Sequence, residues 1–268
     1  VSSFTLARRA AARLPNLAAL RPVLLALTTP LVLLALWQIA CLAQLAPPHM
    51  LPSPADVLAR FHSELTGGTF WQDVSASLSR ALTGFVLGSA AGLALGLLLG
   101  LSRIAERLIG PTFVAYRQVA LFAWVPLLST WFGGGETGKL AFVALAAFAP
   151  CVVNTWRAVR AIPPSLRELA AVLTFGRLDT LRLVTLPGAL PGIATGLRSA
   201  LIYAWVGTVG AELFLDIAPG LGGRLNEGRD QFEVDLMLVA LALFALLGLF
   251  FSQLAVYLER RLVRWTMR

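Results

Sequence analysis

Few residues in this chain have the types and spacing that chemistry requires. His49 and His62 are its only histidines, and Cys41 and Cys151 its only cysteines. Both cysteines sit in apolar runs, and no spacing among the four fits a metal site or a disulfide framework. There is no Gly-x-x-x-x-Gly-Lys-Ser/Thr phosphate loop, so the chain is not expected to bind ATP itself. No Ser/His/Asp set occurs either, so no catalytic residue and no metal ligand is assigned and the chain is read as not an enzyme. What remains is recognition chemistry. The stretch from Ala161 to Arg198 is polar and arginine-bearing between long apolar blocks. It carries Glu168, a carboxylate suited to a charge-assisted hydrogen bond, beside a stripe of Leu166, Leu169, Ala170, Leu173 and Phe175. Arg117 and Arg198 lie within or at the ends of apolar runs, where an ionisable group is expensive and often lines a pathway. The competing reading for both is a side chain that snorkels to lipid headgroups.

The elements that must position these residues are membrane spans. Of 268 residues, 57% are hydrophobic and 13% charged, against about 25% charged in soluble domains. The apolar runs approach the roughly 20 residues that a helix needs to cross hydrocarbon. They are too long and too uniform for the strands of a β-barrel, about 10 residues each and alternating in polarity. The reading is an all-α integral membrane protein with about six transmembrane helices, near 23–45, 74–101, 112–132, 138–156, 189–213 and 235–257. Pro126 is expected to break the third. No cleavable signal peptide is evident, because the first apolar run is as long as a full span. In the second, Gly84, Gly88, Gly92, Gly96 and Gly100 recur at every fourth residue. That puts five glycines on one helix face, where another helix can approach closely. Outside the spans, Pro54 and Asp56 suit the first turn of a short helix at about 54–66.

The net charge of +8 does not imply nucleic acid, since basic residues collect in the cytoplasmic loops of membrane proteins and no continuous Lys/Arg tract occurs. With six spans and an inside N-terminus, five basic residues fall outside (Arg60, Arg80, Lys139, Arg224, Arg229) against fifteen inside. That imbalance places both termini in the cytoplasm. The chain then divides into a basic cytoplasmic segment at 1–22 and a single membrane domain at 23–268. External loops fall at about 46–73 and 214–234, and a cytoplasmic loop at about 161–187. Within that loop Ser165 is a candidate N-cap with Glu168 completing a capping box, and Gly176 is expected to stop the helix.

Here the residues resemble a family. Glu168, Ala170, Leu186 and Pro187 sit in register with the EAA loop of the membrane subunits of bacterial ATP-binding-cassette importers. Leu121–Leu127, Trp131-Phe132-Gly133, Asn154-Thr155, Gly196-Leu197-Arg198, Ala204-Trp205, Ala211-Glu212, Gly220-Leu221-Gly222 and Leu258-Glu259-Arg260-Arg261 look like the branch that imports sulfonates, taurine, nitrate and similar small organic anions. The resemblance covers about 70–265. It implies a type I importer permease in the bacterial inner membrane, working as a homodimer. Two cytoplasmic ATP-binding subunits, which bind the ATP and Mg, would dock inside, and a periplasmic or extracellular binding protein outside. The EAA loop would be the coupling helix in a cleft of the ATPase, carried here by Glu168, Leu169, Ala170, Ala171, Leu173, Thr174, Phe175 and Gly176. One departure stands out: Thr174 occupies the place of the family's glycine.

Other residues are candidates for the translocation path or its gate. Pro126 leaves a carbonyl to be satisfied inside protein or by cavity water, which marks 121–132. Trp124, Trp131 and Trp205 could shape a gate, although aromatics more often anchor helices at the interface. Glu212 would repel an anion, so a gate or helix-tip hydrogen bond suits it better. With Arg117 and Arg198 these complete the path residues. The rival functions are a proton-coupled secondary carrier, which would want paired acids or histidines inside the spans, and a membrane enzyme. An export permease is disfavoured by the EAA pattern.

Overall fold

The computed structural model describes residues 17–215 and 219–263. Most of the expected basic segment at 1–22, Asp216 of the last loop and the tail with Arg264, Trp265 and Arg268 lie outside the described residues. Within them every regular element is helical. Helix α1 (Leu17–Leu42) leads to α2 (Pro54–Thr66). Helix α2 starts where the sequence placed it because Ser53 accepts from the Asp56 amide while the Asp56 carboxylate accepts from the Ser53 amide, a reciprocal capping box.

Three helices are long and apolar enough to span a membrane: α3 (Phe70–Leu101), α6 (Glu136–Arg160) and α10 (Val234–Leu262). A bent pair is together apolar and long enough for a fourth. Helix α4 (Arg103–Tyr116) ends at a break, and a 3-10 turn (Leu121–Trp124) then opens α5 (Val125–Phe132) at 94° to it. The break therefore lies at 117–120 and not at Pro126. Pro126 occupies the first turn of α5, where its missing N–H takes nothing from the helix. Helix α8 (Leu186–Phe214) has the length of a span, 29 residues, but its glycines, Thr195, Thr208 and Arg198 dilute its hydropathy. The six spans of the sequence reading are thus three continuous apolar helices and one bent pair, with α1 and α8 falling short on composition or described length.

Helix α6 is the centre of the bundle. The five-glycine face of α3 lies along it in parallel: Gly84 meets Val143, Gly92 meets Cys151, Gly96 meets Thr155 and Gly100 meets Val159. A Cβ on Gly88 would stand 2.1 Å from the Ala144 carbonyl oxygen, so only glycine permits this approach. Helix α8 runs antiparallel on another face, Gly207 meeting Ala146 and Gly192 meeting Ala158. Trp205 of α8 is buried against α10, stacked on Phe251 at 5.0 Å and donating its indole N–H to the Phe244 carbonyl at 3.2 Å. These directions gather the starts of α3 and α6 with the end of α8 at one end of the bundle. The ends of α3 and α6 and the start of α8 lie at the other. The segment 161–185, which joins α6 to α8, belongs to that second end.

Candidate functional site

The joining segment folds as α7 (Pro164–Val172), a turn at Arg177–Asp179 and a π-helical turn (Thr180–Thr185) that runs directly into α8. Two capping expectations are corrected here. Pro163, not Ser165, is the N-cap, and no side chain caps the helix; with Pro at the first helical position one missing donor is an orphan anyway. Gly176 does not stop the helix, since its φ of −66° is one that any residue adopts. The stop is Thr174, at φ +55°. The Phe175 amide donates to the Ala170 carbonyl and the Thr174 amide to that of Ala171, both at 3.0 Å. This 6→1 and 5→2 pair is a Schellman ending with threonine where glycine is usual. A β-branched residue in the left-handed region is a genuine outlier.

The stop turns the chain back so that apolar side chains from both arms face one groove. Leu166, Leu169, Ala170 and Leu173 line it from α7, and Phe175, Leu183, Val184, Pro187 and Gly188 from the return, enclosing about 350 Å³. Ala170 is buried, while Leu169, Val172, Leu173 and Leu183 are exposed. Glu168 is exposed, as are Ala171, Thr174 and Gly176, and no described side chain bonds to Glu168. Below the groove, Ile162, Val159, Ala189 and Ile193 pack together. Glu106 of α4 takes the Trp156 indole N–H at 3.2 Å and pairs with Arg160.

The elbow between α4 and α5 borders a second cavity, of about 410 Å³. Tyr116, Arg117, Gln118 and Trp124 reach it from the elbow, Ala146, Pro150 and Asn154 from α6, and Tyr203 from α8. Pro150 has no N–H to give to the carbonyl of Ala146, so the α6 backbone has a gap in its ladder on this face. The Asn154 amide donates to the Pro150 carbonyl at 2.8 Å. Of the seven expected path residues, only Arg117 and Trp124 meet here. Pro126 and Trp131 are exposed on α5. Arg198 is spent on Glu259 at 2.9 Å, which also accepts from Thr195 at 2.8 Å. Trp205 locks α8 to α10, away from the cavity.

Glu212 belongs to a cluster that the sequence reading missed. Its buried carboxylate accepts from Arg80 at 2.6 Å and from the Ser77 hydroxyl at 2.7 Å. Arg80, also buried, pairs with Glu136 at 2.6 Å and donates to the Pro219 carbonyl at 2.6 Å. The segment expected as a Gly-rich external loop holds a helix, α9 (Leu221–Asp230). The amides of Gly220, Leu221 and Gly222 at its start donate to Asp73, Ser77 and Glu212 at 3.0, 3.0 and 2.8 Å. Orphan donors at a helix start, with the positive end of its dipole, are thereby met by two carboxylates and a hydroxyl. Gly222 must be glycine, because a Cβ there would lie 2.4 Å from that of Glu212. Arg224 of α9 pairs with Asp73 at 2.8 Å and Glu64 at 3.4 Å. Burial disfavours its charge, but the bond to Asp73 and the fields of Asp73, Glu64 and Glu227 outweigh that and raise its pKa above the ordinary arginine value. Arg80, one of the five basic residues that the sequence reading places outside, lies in α3. The usable signal was an arginine near Ser77 in one apolar helix and a glutamate in another, each too costly to bury alone.

Residues 84–264 match the family described as binding-protein-dependent transport system inner membrane component. The chain is 43% identical over 237 residues to the riboflavin transport system permease protein RibX of Chloroflexus aurantiacus, with 88% of each chain covered. It is 33% identical over 250 residues to the taurine transport system permease protein TauC of Escherichia coli, covering 91% of this chain and 90% of that one. In fold it resembles an inward-facing crystal structure of the MetNI methionine ABC transporter. That likeness has a TM-score of 0.63 at 20% identity and covers 73% of this chain and 96% of the other.

Proposed function

The chain belongs to the family of binding-protein-dependent transport system inner membrane components, and from that premise we propose how its parts divide the work of import. It is a multi-pass permease of an ATP-binding-cassette importer and not an enzyme; ATP is used by a separate subunit. In the proposed assembly two copies form the path across the bacterial inner membrane. The 161–187 segment lies in the cytoplasm, as the arginine distribution favours, and docks on an ATPase that holds ATP and Mg. The end bearing Arg80, Glu212 and α9 then faces the periplasmic or extracellular binding protein. The cargo is a small organic anion, as the taurine cargo in the name of TauC supports.

The observation that carries the coupling assignment is the form of α7. A short helix with a defined stop presents the exposed Glu168 next to an apolar groove. The groove can take a partner's apolar side chain while Glu168 makes a charge-assisted hydrogen bond. Of the other groups weighed for path or coupling, Arg198, Trp205 and Glu212 are held by partners within the chain. A second cargo reading, a flavin, is favoured by the riboflavin cargo in the name of RibX. The test is reconstitution in vesicles with a partner ATPase and binding protein. ATP-driven uptake of taurine or another organic sulfonate is expected. Uptake by the permease alone, driven by a proton gradient, would refute the assignment.

A further inference from the structure

We propose that the cavity at the α4–α5 elbow is a transit site for an organic anion with an aromatic or other apolar body. Arg117 would read its charged head, and Tyr116, Trp124 and Tyr203 would hold its body. This rests on the importer reading above and names the class of cargo that the path itself selects.

Four observations carry it. First, the spanning pair is broken at 117–120 and turned by 94° beside the cavity, and irregular backbone is tolerated at membrane depth where it lines a cavity. Second, charge in the lining is of one sign. Arg117 has no carboxylate partner among the described residues, and no Asp or Glu lines the cavity. Arg80, Arg160, Arg198 and Arg224 each have such a partner. An unopposed guanidinium beside the Gln118 amide offers several N–H donors to a sulfonate or carboxylate. Third, the size suits an organic occupant better than a bare inorganic ion. An oxyanion of four or five heavy atoms displaces two or three waters, under about 100 Å³ at about 30 Å³ per water. The cavity holds about 410 Å³, within the 300–1,000 Å³ or so typical of sites for organic ligands. Fourth, three aromatic residues share the lining, Tyr116 and Trp124 with ring centroids 5.5 Å apart. They are not closed into the protein, since Tyr203 is exposed and Tyr116 and Trp124 are half-buried. Such rings supply an apolar wall that a hydrated inorganic ion would not use.

The test is calorimetric titration of the purified protein in neutral-lipid nanodiscs, with empty nanodiscs as the blank. Naphthalene-1-sulfonate, sulfate and riboflavin serve as probes. Naphthalene-1-sulfonate is expected to bind at least about tenfold more tightly than sulfate. Arg117→Gln and Trp124→Ala should each weaken it about tenfold or more, the loss of a charge-assisted contact or a ring wall. Arg117→Lys should retain most of the affinity, which separates loss of charge from misfolding, and Arg198→Gln should leave it unchanged. Equal binding of sulfate, or naphthalenesulfonate binding indifferent to Arg117→Gln, overturns the site. Riboflavin that binds as tightly and ignores Arg117→Gln overturns the anion class. ATP-driven uptake by the full importer without naphthalenesulfonate binding would sink the transit site and leave the importer reading standing. Absence of ATP-driven uptake would sink the importer reading itself.

Discussion

The two ends of the helix bundle differ in how their connecting segments are held. At one, Arg80, Glu136, Glu212, Ser77 and Asp73 join the starts of α3 and α6 to the end of α8 and the first turn of α9. Arg80 and Glu212 are almost fully buried there, and nearly every polar atom in the cluster answers another. At the other end α7 hangs between α6 and α8 on a backbone stop and apolar contacts, and its carboxylate is exposed. A buried ion pair contributes little net stability but penalises any arrangement that separates its partners. The first end therefore has one strongly specified geometry. The second is finished only when something else covers the groove. A lever needs this division, with a firm body at one end and an open handle at the other.

The largest effect should come from breaking the firm end. Glu212→Ala leaves Arg80 with a single carboxylate partner, the half-exposed Glu136, and strips Gly222 of its acceptor. The expected loss is about 3–5 kcal/mol, the cost of an uncompensated buried charge, read as a fall in thermal unfolding temperature in detergent. Glu212→Gln keeps acceptors for Ser77 and Gly222 and should lose less. If both variants melt with the wild type, the end is not specified as described.

At the open end the changes should be smaller and of the other sign. Thr174→Gly removes the left-handed strain, worth roughly 1–2 kcal/mol for a residue with a side chain. It should slow amide exchange in 164–176. Faster exchange would mean that the threonine holds the turn by some other contact, such as its 2.8 Å hydroxyl bond to the Leu173 carbonyl.

The smallest effect lies at the exposed cap of α2, beside the firm end. Hydrogen bonds from Ser53 hold the Asp56 carboxyl below the usual carboxylate range. A lowered folded-state pKa gives a contribution that is present above the unfolded pKa and lost as pH falls through the folded one. Exchange protection of 54–58 should fall on acidification through that range, and Ser53→Ala should flatten the dependence. An unchanged pH profile in the variant would contradict the cap.

The open end was more legible in the sequence than the firm one. An amphipathic segment between apolar blocks declares itself by composition, and α2 declared its start through Pro54 and Asp56. The stop at Thr174 was not legible, because a threonine at positive φ contradicts local preference and is held by tertiary context. The break at 117–120 was hidden for a related reason. Pro126 looks like the interruption, yet proline is well placed in a helix's first turn. The cluster around Glu212 was hidden because its members come from four elements far apart in the chain, and no local pattern joins them.

The most direct measurement compares ATP hydrolysis with cargo uptake in vesicles that contain the complete importer, with wild-type chain and with Glu168→Lys. Glu168 is exposed and bonds to no described side chain, so the variant should melt within about 0.5 kcal/mol of wild type, as surface changes do. Uptake per ATP should fall about tenfold or more, the equivalent of a lost charge-assisted hydrogen bond. Uptake per ATP equal to wild type, in a folded variant, would contradict the assignment of α7 as the handle on the ATPase.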